Sequence, residues 1–142
     1  MQTFLPSPSY AESAQMLDNR RLGKQRVECK QILLAMSKTS GGWVNHPATK
    51  MWRGYEIELC RYAHAMCREW VQRGYKDNLA VFFADAVLEF HGDGRNPYPP
   101  PWLGDESFHA SHRSNLLRKA PDYYAQYGWS EPADLPYIWP VQ

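Results

Sequence analysis

The chain carries almost no net charge, few cysteines and no long apolar run, and each shortage excludes something. Sixteen Lys and Arg face fifteen Asp and Glu, a formal +1. Proteins that coat nucleic acid over a broad footprint are clearly basic, so any DNA contact here must come from a local patch. The three cysteines, Cys29, Cys60 and Cys67, are odd in number and lack disulfide-framework spacing. This argues against a stapled secreted scaffold and for reduced thiols in the cytoplasm. No apolar stretch approaches the roughly 20 residues that span a bilayer. No cationic start followed by an apolar run marks a leader, and Pro6 and Pro8 interrupt the N-terminus. An intracellular protein without membrane contact is expected. Repeats are absent, and Pro99-Pro100-Pro101 is the one low-complexity run. No segment alternates convincingly as a strand does, which points to an all-α fold.

What is present suits one domain over residues 1–142. Apolar residues make up 44%, enough for a continuous core, and six Trp and nine Tyr stand among them. Those side chains join an apolar body to a polar tip, so they serve cores, interfaces and base-stacking surfaces alike. Charge is unevenly distributed. Residues 1–53 hold eight Lys/Arg against three Asp/Glu, and residues 54–106 hold five against nine. A basic patch near the N-terminus follows from this asymmetry.

Punctuation and periodicity predict helices near 9–17, 19–37, 47–74, 78–90, 107–119 and 121–127. Ser9 with Glu12 resembles a capping box, Pro47 suits a first helical position, and Gly74 can end the long third helix. Gly54 can split or bend that helix. Residues 91–106, rich in Gly and Pro, form a long loop, and the tail after Gly128 is extended.

Four constellations could carry chemistry. Arg20, Arg21, Lys24 and Arg26 surround Glu28 within nine residues, a set that could grip phosphates or simply line a solvated helix face. His109, His112 and Arg113, followed by Arg118 and Lys119, suit phosphate contact or proton transfer. Cys60, His64 and Cys67 share a helix edge. Small thiols beside an apolar stripe are more simply core residues than zinc ligands, and no metal is expected. Tyr123, Tyr124, Tyr127 and Trp129 cluster after basic residues, which fits either a nucleic-acid surface or a core edge.

Pro121-x-Tyr123-Tyr124-x-x-Tyr127-Gly128 resembles the closing motif of the bacteriophage pyrimidine-dimer DNA glycosylases known as endonuclease V. Arg73-Gly74-Tyr75 and the segment Arg20 to Val27 resemble further steps of that family, in the same order. The resemblance implies an all-helical glycosylase with AP-lyase activity that needs no cofactor. It would act as a monomer on double-stranded DNA carrying a damaged or modified base, extruding a nucleotide as it does so. It also implies an N-terminal α-amine that attacks C1′ and forms a Schiff base, assisted by a glutamate in the early Arg-rich segment. Where the family has Arg-Glu-Leu, this chain reads Arg20-Arg21-Leu22, and aligning on Arg26-Val27 puts Gly23 at the glutamate. Glu28, about one turn on, is the nearest carboxylate.

Gln2 follows Met1, and a long second side chain blocks methionine removal. The expected amine is therefore that of Met1, with Lys24 as a second candidate. The expected DNA contacts are Arg20, Arg21, Arg26, His46, His109, His112, Arg113, Arg118, Lys119 and Tyr124. Two other readings stay open. One is a non-catalytic nucleic-acid-binding module of the same fold, and the other is an enzyme that cleaves the N-glycosidic bond of a free nucleotide.

Overall fold

Seven α-helices and one 3₁₀ turn follow one another, with no strand among the described residues. The computed structural model describes residues 1–141. Helix α1 spans Tyr10–Met16, and Ser9 caps it by accepting from Glu12 N at 3.2 Å. The reciprocal half of a capping box does not form, because Ser9 N donates to Ser7 Oγ instead. Helix α2 spans Asn19–Met36 and is capped by Asp18. The long helix expected over 47–74 is two: α3, Pro47–Trp52, and α4, Glu56–Gln72. The break falls at Gly54, whose φ of 85° suits glycine and costs other residues strain. Helices α5, Ala80–Gly92, and α6, Glu106–Lys119, bracket the Pro-rich loop. A short α7, Pro121–Tyr124, runs into a 3₁₀ turn over Ala125–Tyr127 that Gly128 closes.

Helix α4 is the central element, and α1, α2 and α5 pack around it. Its stripe of Leu59, Tyr62, Ala63 and Met66 meets Leu22, Cys29, Ile32 and Leu33 of α2, all buried. Helix α5 sits at the margin. Of its apolar residues only Phe83 is fully buried, and Phe82, Ala86 and Phe90 are partly covered. Cys60 and Cys67 are fully buried while His64 is exposed, so the two thiols pack as small hydrophobes. Burial pushes both thiols up to about 12. No group of three His, Cys, Asp or Glu among the described residues is placed to hold a metal ion.

The feature that positions the site is the N-terminal segment before α1. Residues 2–7 are buried although they belong to no helix or strand. Buried peptide groups outside regular structure must find partners elsewhere, since each one left unpaired costs about 1–3 kcal/mol. Here the partners are side chains from the surrounding helices. Gln25 of α2 accepts from Phe4 N at 2.8 Å and donates to Gln2 O at 2.9 Å. The Tyr62 hydroxyl lies 2.7 Å from Phe4 O and 2.6 Å from Gln25 Oε1, with one proton for the two acceptors. Trp52 Nε1 donates to Thr3 Oγ1 at 3.0 Å. His112 and His109 of α6 hold the two sides of Leu5: Leu5 N donates to His112 Nδ1 at 2.8 Å, and Leu5 O lies 2.7 Å from His109 Nδ1. Arg113 donates to Pro6 O at 2.8 Å. Four helices, α2, α3, α4 and α6, therefore clamp one short segment and fix the position of residue 1.

Candidate active site

The clamped segment delivers residue 1 to a cleft of about 360 Å³ between α2 and the C-terminal region. Sites for small ligands fall in the range of roughly 300–1,000 Å³. Met1, Gln2, Arg20, Arg21, Lys24, Gln25, Glu28, Lys119 and Tyr137 are among its lining residues. Glu28 is half-buried, and its Oε2 accepts from Gln2 N at 3.2 Å and from Gln25 Nε2 at 3.2 Å. These two donors orient the carboxylate beside the chain terminus. Gln25 thus does two jobs: its Oε1 and Nε2 grip the segment, and the same Nε2 steers Glu28.

Local sequence explains the arrangement of α2. Leu22, Gln25 and Cys29 recur at helical spacing and all face inward, which puts Lys24 and Glu28 on the flank that opens to the cleft. Gly23 lies against Trp70, and a Cβ there would sit 2.9 Å from the indole. A glutamate at position 23 has no room. At position 21, Arg21 pairs with Asp18 at 3.2 Å and lines the cleft. The one carboxylate that α2 brings to the cleft is Glu28.

Of the expected DNA contacts, Arg20, Arg21 and Lys119 reach this cleft with Lys24, and Lys24 itself is exposed. No carboxylate among the described residues pairs with Arg20, Lys24 or Lys119. Arg118 is exposed and bonds to Asn115. His46 is half-buried and caps α3, its Nδ1 accepting from Ala48 N at 3.0 Å. Its pKa is lowered by burial and by the terminal ammonium, against an opposing pull from Glu28.

The other expected contacts are interior residues. His109 and His112 are fully buried, and burial, helped by the neighbouring His109, pushes His112 down to about 3. Both are neutral clamps on Leu5. Arg113 is held by Glu131 and Glu106 as well as Pro6 O. Tyr124 is fully buried and its hydroxyl bonds to Asp18 at 2.5 Å. Arg26 makes a buried ion pair with Asp77 at 2.6 Å, beneath the Trp70 ring. Arg26 and Arg113 are therefore not free for phosphate, because each is held by a carboxylate brought from elsewhere in the chain. Replacing Arg26 with Ala is expected to cost about 3–5 kcal/mol of stability by stranding Asp77, while the salt dependence of DNA binding stays unchanged. Urea denaturation and salt titration check the two halves.

Sequence reading passed over Gln25, Tyr62 and Trp52, the rest of the clamp, and Tyr137 on the cleft wall. Gln25 left a readable trace, a polar residue at a core position of the α2 stripe. Tyr137 left none, since it lies in an irregular tail.

The all-helical domain thus brings residue 1 and Glu28 into one cleft with Arg20, Arg21, Lys24 and Lys119. The profile of the pyrimidine dimer DNA glycosylase family matches residues 1–82, the part that contains the clamped segment and helices α1 to α4. The chain belongs to that family. The C-terminal motif Pro121 to Gly128 lies outside the matched residues. Neither the curated proteins nor the solved structures yield a match. No helix among the described residues is long and apolar enough to cross a membrane.

Proposed function

We propose that the protein is a DNA glycosylase with AP-lyase activity, in which the α-amine of Met1 is the nucleophile and Glu28 the assisting carboxylate. The observation that carries this reading is the bond from Gln2 N to Glu28 Oε2, which sets the terminus one residue away from the only carboxylate that α2 brings to the cleft.

The chemistry follows from the residues. The free-base amine attacks C1′ of the damaged nucleotide. The C1′–N bond breaks, and the base leaves with its electron pair and takes up a proton. Positive charge builds on the sugar as this bond breaks, and the nearby Glu28 carboxylate stabilises it. Proton loss from the attacking nitrogen, with Glu28 as the local acceptor, and opening of the sugar ring give a Schiff base between Met1 and C1′. Removal of a C2′ proton then expels the 3′ phosphate, and water releases the enzyme. Arg20, Lys24 and Lys119 contact phosphates around the cleft. Lys24 is the lesser candidate for the amine because it is exposed, and a lysine becomes a good nucleophile when burial disfavours its charge. With Arg20, Lys24 and Lys119 as the unpaired cations at the cleft, the footprint on DNA is small, in keeping with the net charge of +1.

Borohydride reduction in the presence of an abasic-site duplex is expected to trap a covalent adduct, and peptide mapping is expected to place it on residue 1. Adding residues ahead of Met1 should abolish the adduct. An adduct on Lys24 would reassign the nucleophile, and no adduct at all would defeat the lyase reading.

A further inference from the structure

We propose that Tyr137, Trp139, His46 and Trp43 form a stacking row that receives an unstacked nucleobase beside the residue-1 amine. The proposal rests on reading the cleft as the DNA site and adds where the base goes.

The row is continuous. Tyr137 is a wall of the cleft, and its ring centroid lies 5.6 Å from that of Trp139. Trp139 lies 5.8 Å from His46, and His46 lies 5.4 Å from Trp43. The rings cross at 53°, 85° and 60°. None of these pairs is a parallel stack; the rings meet by edge or tilt, so each contact covers only part of a neighbouring face. Three other pairs are stacked. Tyr124 and Trp129 stack at 13°, Tyr127 and Trp129 at 27°, and Trp70 and Tyr75 at 22°. Those faces are occupied from within the protein. A base needs an open π-face, and the row that starts at the cleft offers one, with Trp43 at its far end 44% exposed.

The fold also holds this row in place. The tail carrying Tyr137 and Trp139 belongs to no helix, yet α6 anchors it. Leu135 N donates to Ser114 Oγ at 3.0 Å, Asn115 Nδ2 donates to Leu135 O at 3.0 Å, and Ile138 N donates to Ser111 Oγ at 3.3 Å. On the other side, Arg53 donates to Val44 O at 2.8 Å and steadies the loop that carries Trp43. Two irregular segments are thus tied down so that Trp139 meets His46 and the row leads back to Tyr137 on the cleft wall. Charge completes the match, because Arg20, Lys24 and Lys119 rim the same cleft and can take the phosphates on either side of an extruded nucleotide. Within the cleft, Gln2 is buried with its side-chain nitrogen unpaired, a donor that a carbonyl on a base edge would satisfy.

The test compares two single strands of equal length and charge, oligothymidylate and the same backbone with abasic tetrahydrofuran units. Affinity is read by fluorescence anisotropy of labelled strands. The protein is expected to prefer the thymidine strand about tenfold, the size of one base stacked on an aromatic ring. The Trp43→Ala/Trp139→Ala double variant should lose that preference and keep its affinity for the abasic strand. Should the double variant fail to fold, as judged by circular dichroism, Trp43→Ala alone decides, and a drop in preference of at least about threefold is expected. Equal affinity of the unaltered protein for both strands, or a preference that survives the substitutions, overturns the row. The abasic borohydride adduct needs no base. An adduct without thymidine preference removes the row and leaves the lyase, and a preference without an adduct does the reverse.

Discussion

Glu28→Gln is expected to lower base release from damaged duplex by about 10³-fold or more, while affinity for the same duplex stays within about twofold. The size follows from the charge removed. A carboxylate poised where positive charge develops acts in a partly dry cleft, and single preorganised groups of this kind are worth roughly 10²–10³ in rate. Its second role as proton acceptor for the amine adds to the loss. Affinity is spared because the phosphate contacts belong to Arg20, Lys24 and Lys119, and removing a negative charge from their midst does not weaken them. The substitution keeps the shape of the side chain, so an amide oxygen can still accept from Gln2 N and Gln25 Nε2, which hold Glu28 now. Single-turnover kinetics and a binding isotherm on one substrate check both parts. Activity within tenfold of the unaltered protein would remove Glu28 from the chemistry and favour a binding-only module.

Acid is expected to release the terminus before it unfolds most carboxylate-based contacts. His112 is fully buried among Phe4, Phe108 and Tyr137, and burial holds its pKa at about 3 against the ordinary 6.5. Only the neutral ring can accept from Leu5 N. The folded pKa is depressed, so the stabilisation is complete above pH 6.5 and is lost progressively as pH falls towards 3. By pH 4.5 the loss amounts to about 2–3 kcal/mol from this residue. His109, also lowered by burial, acts in the same direction. Asp18 and Asp77 are held below the ordinary carboxylate range despite their burial, by Tyr124 and Arg21 for the first and by Ala80 N and Arg26 for the second. Their loss therefore falls at lower pH, which leaves the window between 6.5 and 4.5 to the histidines. Urea midpoints across that window should fall for the unaltered protein. His112→Asn retains an acceptor and cannot titrate there, so it should be less stable at pH 7 and show a flatter profile. An equally steep profile in the variant would assign the acid sensitivity elsewhere. Lyase activity should decline in parallel with stability, because Leu5 anchors the segment that holds Met1 by Glu28.

The all-α class and the order of the helices were legible in the amino-acid sequence, because apolar spacing, caps and prolines act over a few residues; their number rose by one where the 47–74 helix divides into α3 and α4. The Ser9 cap, Pro47 at a helix start and the break at Gly54 all act locally, and the structure has them where the pattern puts them. The family was legible for a similar reason, as motifs are short strings. So was the pairing of Glu28 with the chain terminus, though only as a chemical need. What the chain does with its scattered polar residues was decided by tertiary structure alone. His109, His112 and Arg113 read as surface groups for phosphate, yet they meet Leu5 and Pro6 about a hundred residues earlier in sequence. Arg26 read as a phosphate contact and met Asp77 instead. Tyr137 and Trp139 lie in a tail with no periodicity to read, and only its anchoring on α6 carries them to the cleft. The physical reason is common to these cases. A charged or polar side chain is free to serve solvent or ligand until a distant segment arrives to satisfy it, and the arrival of a distant segment leaves no local pattern.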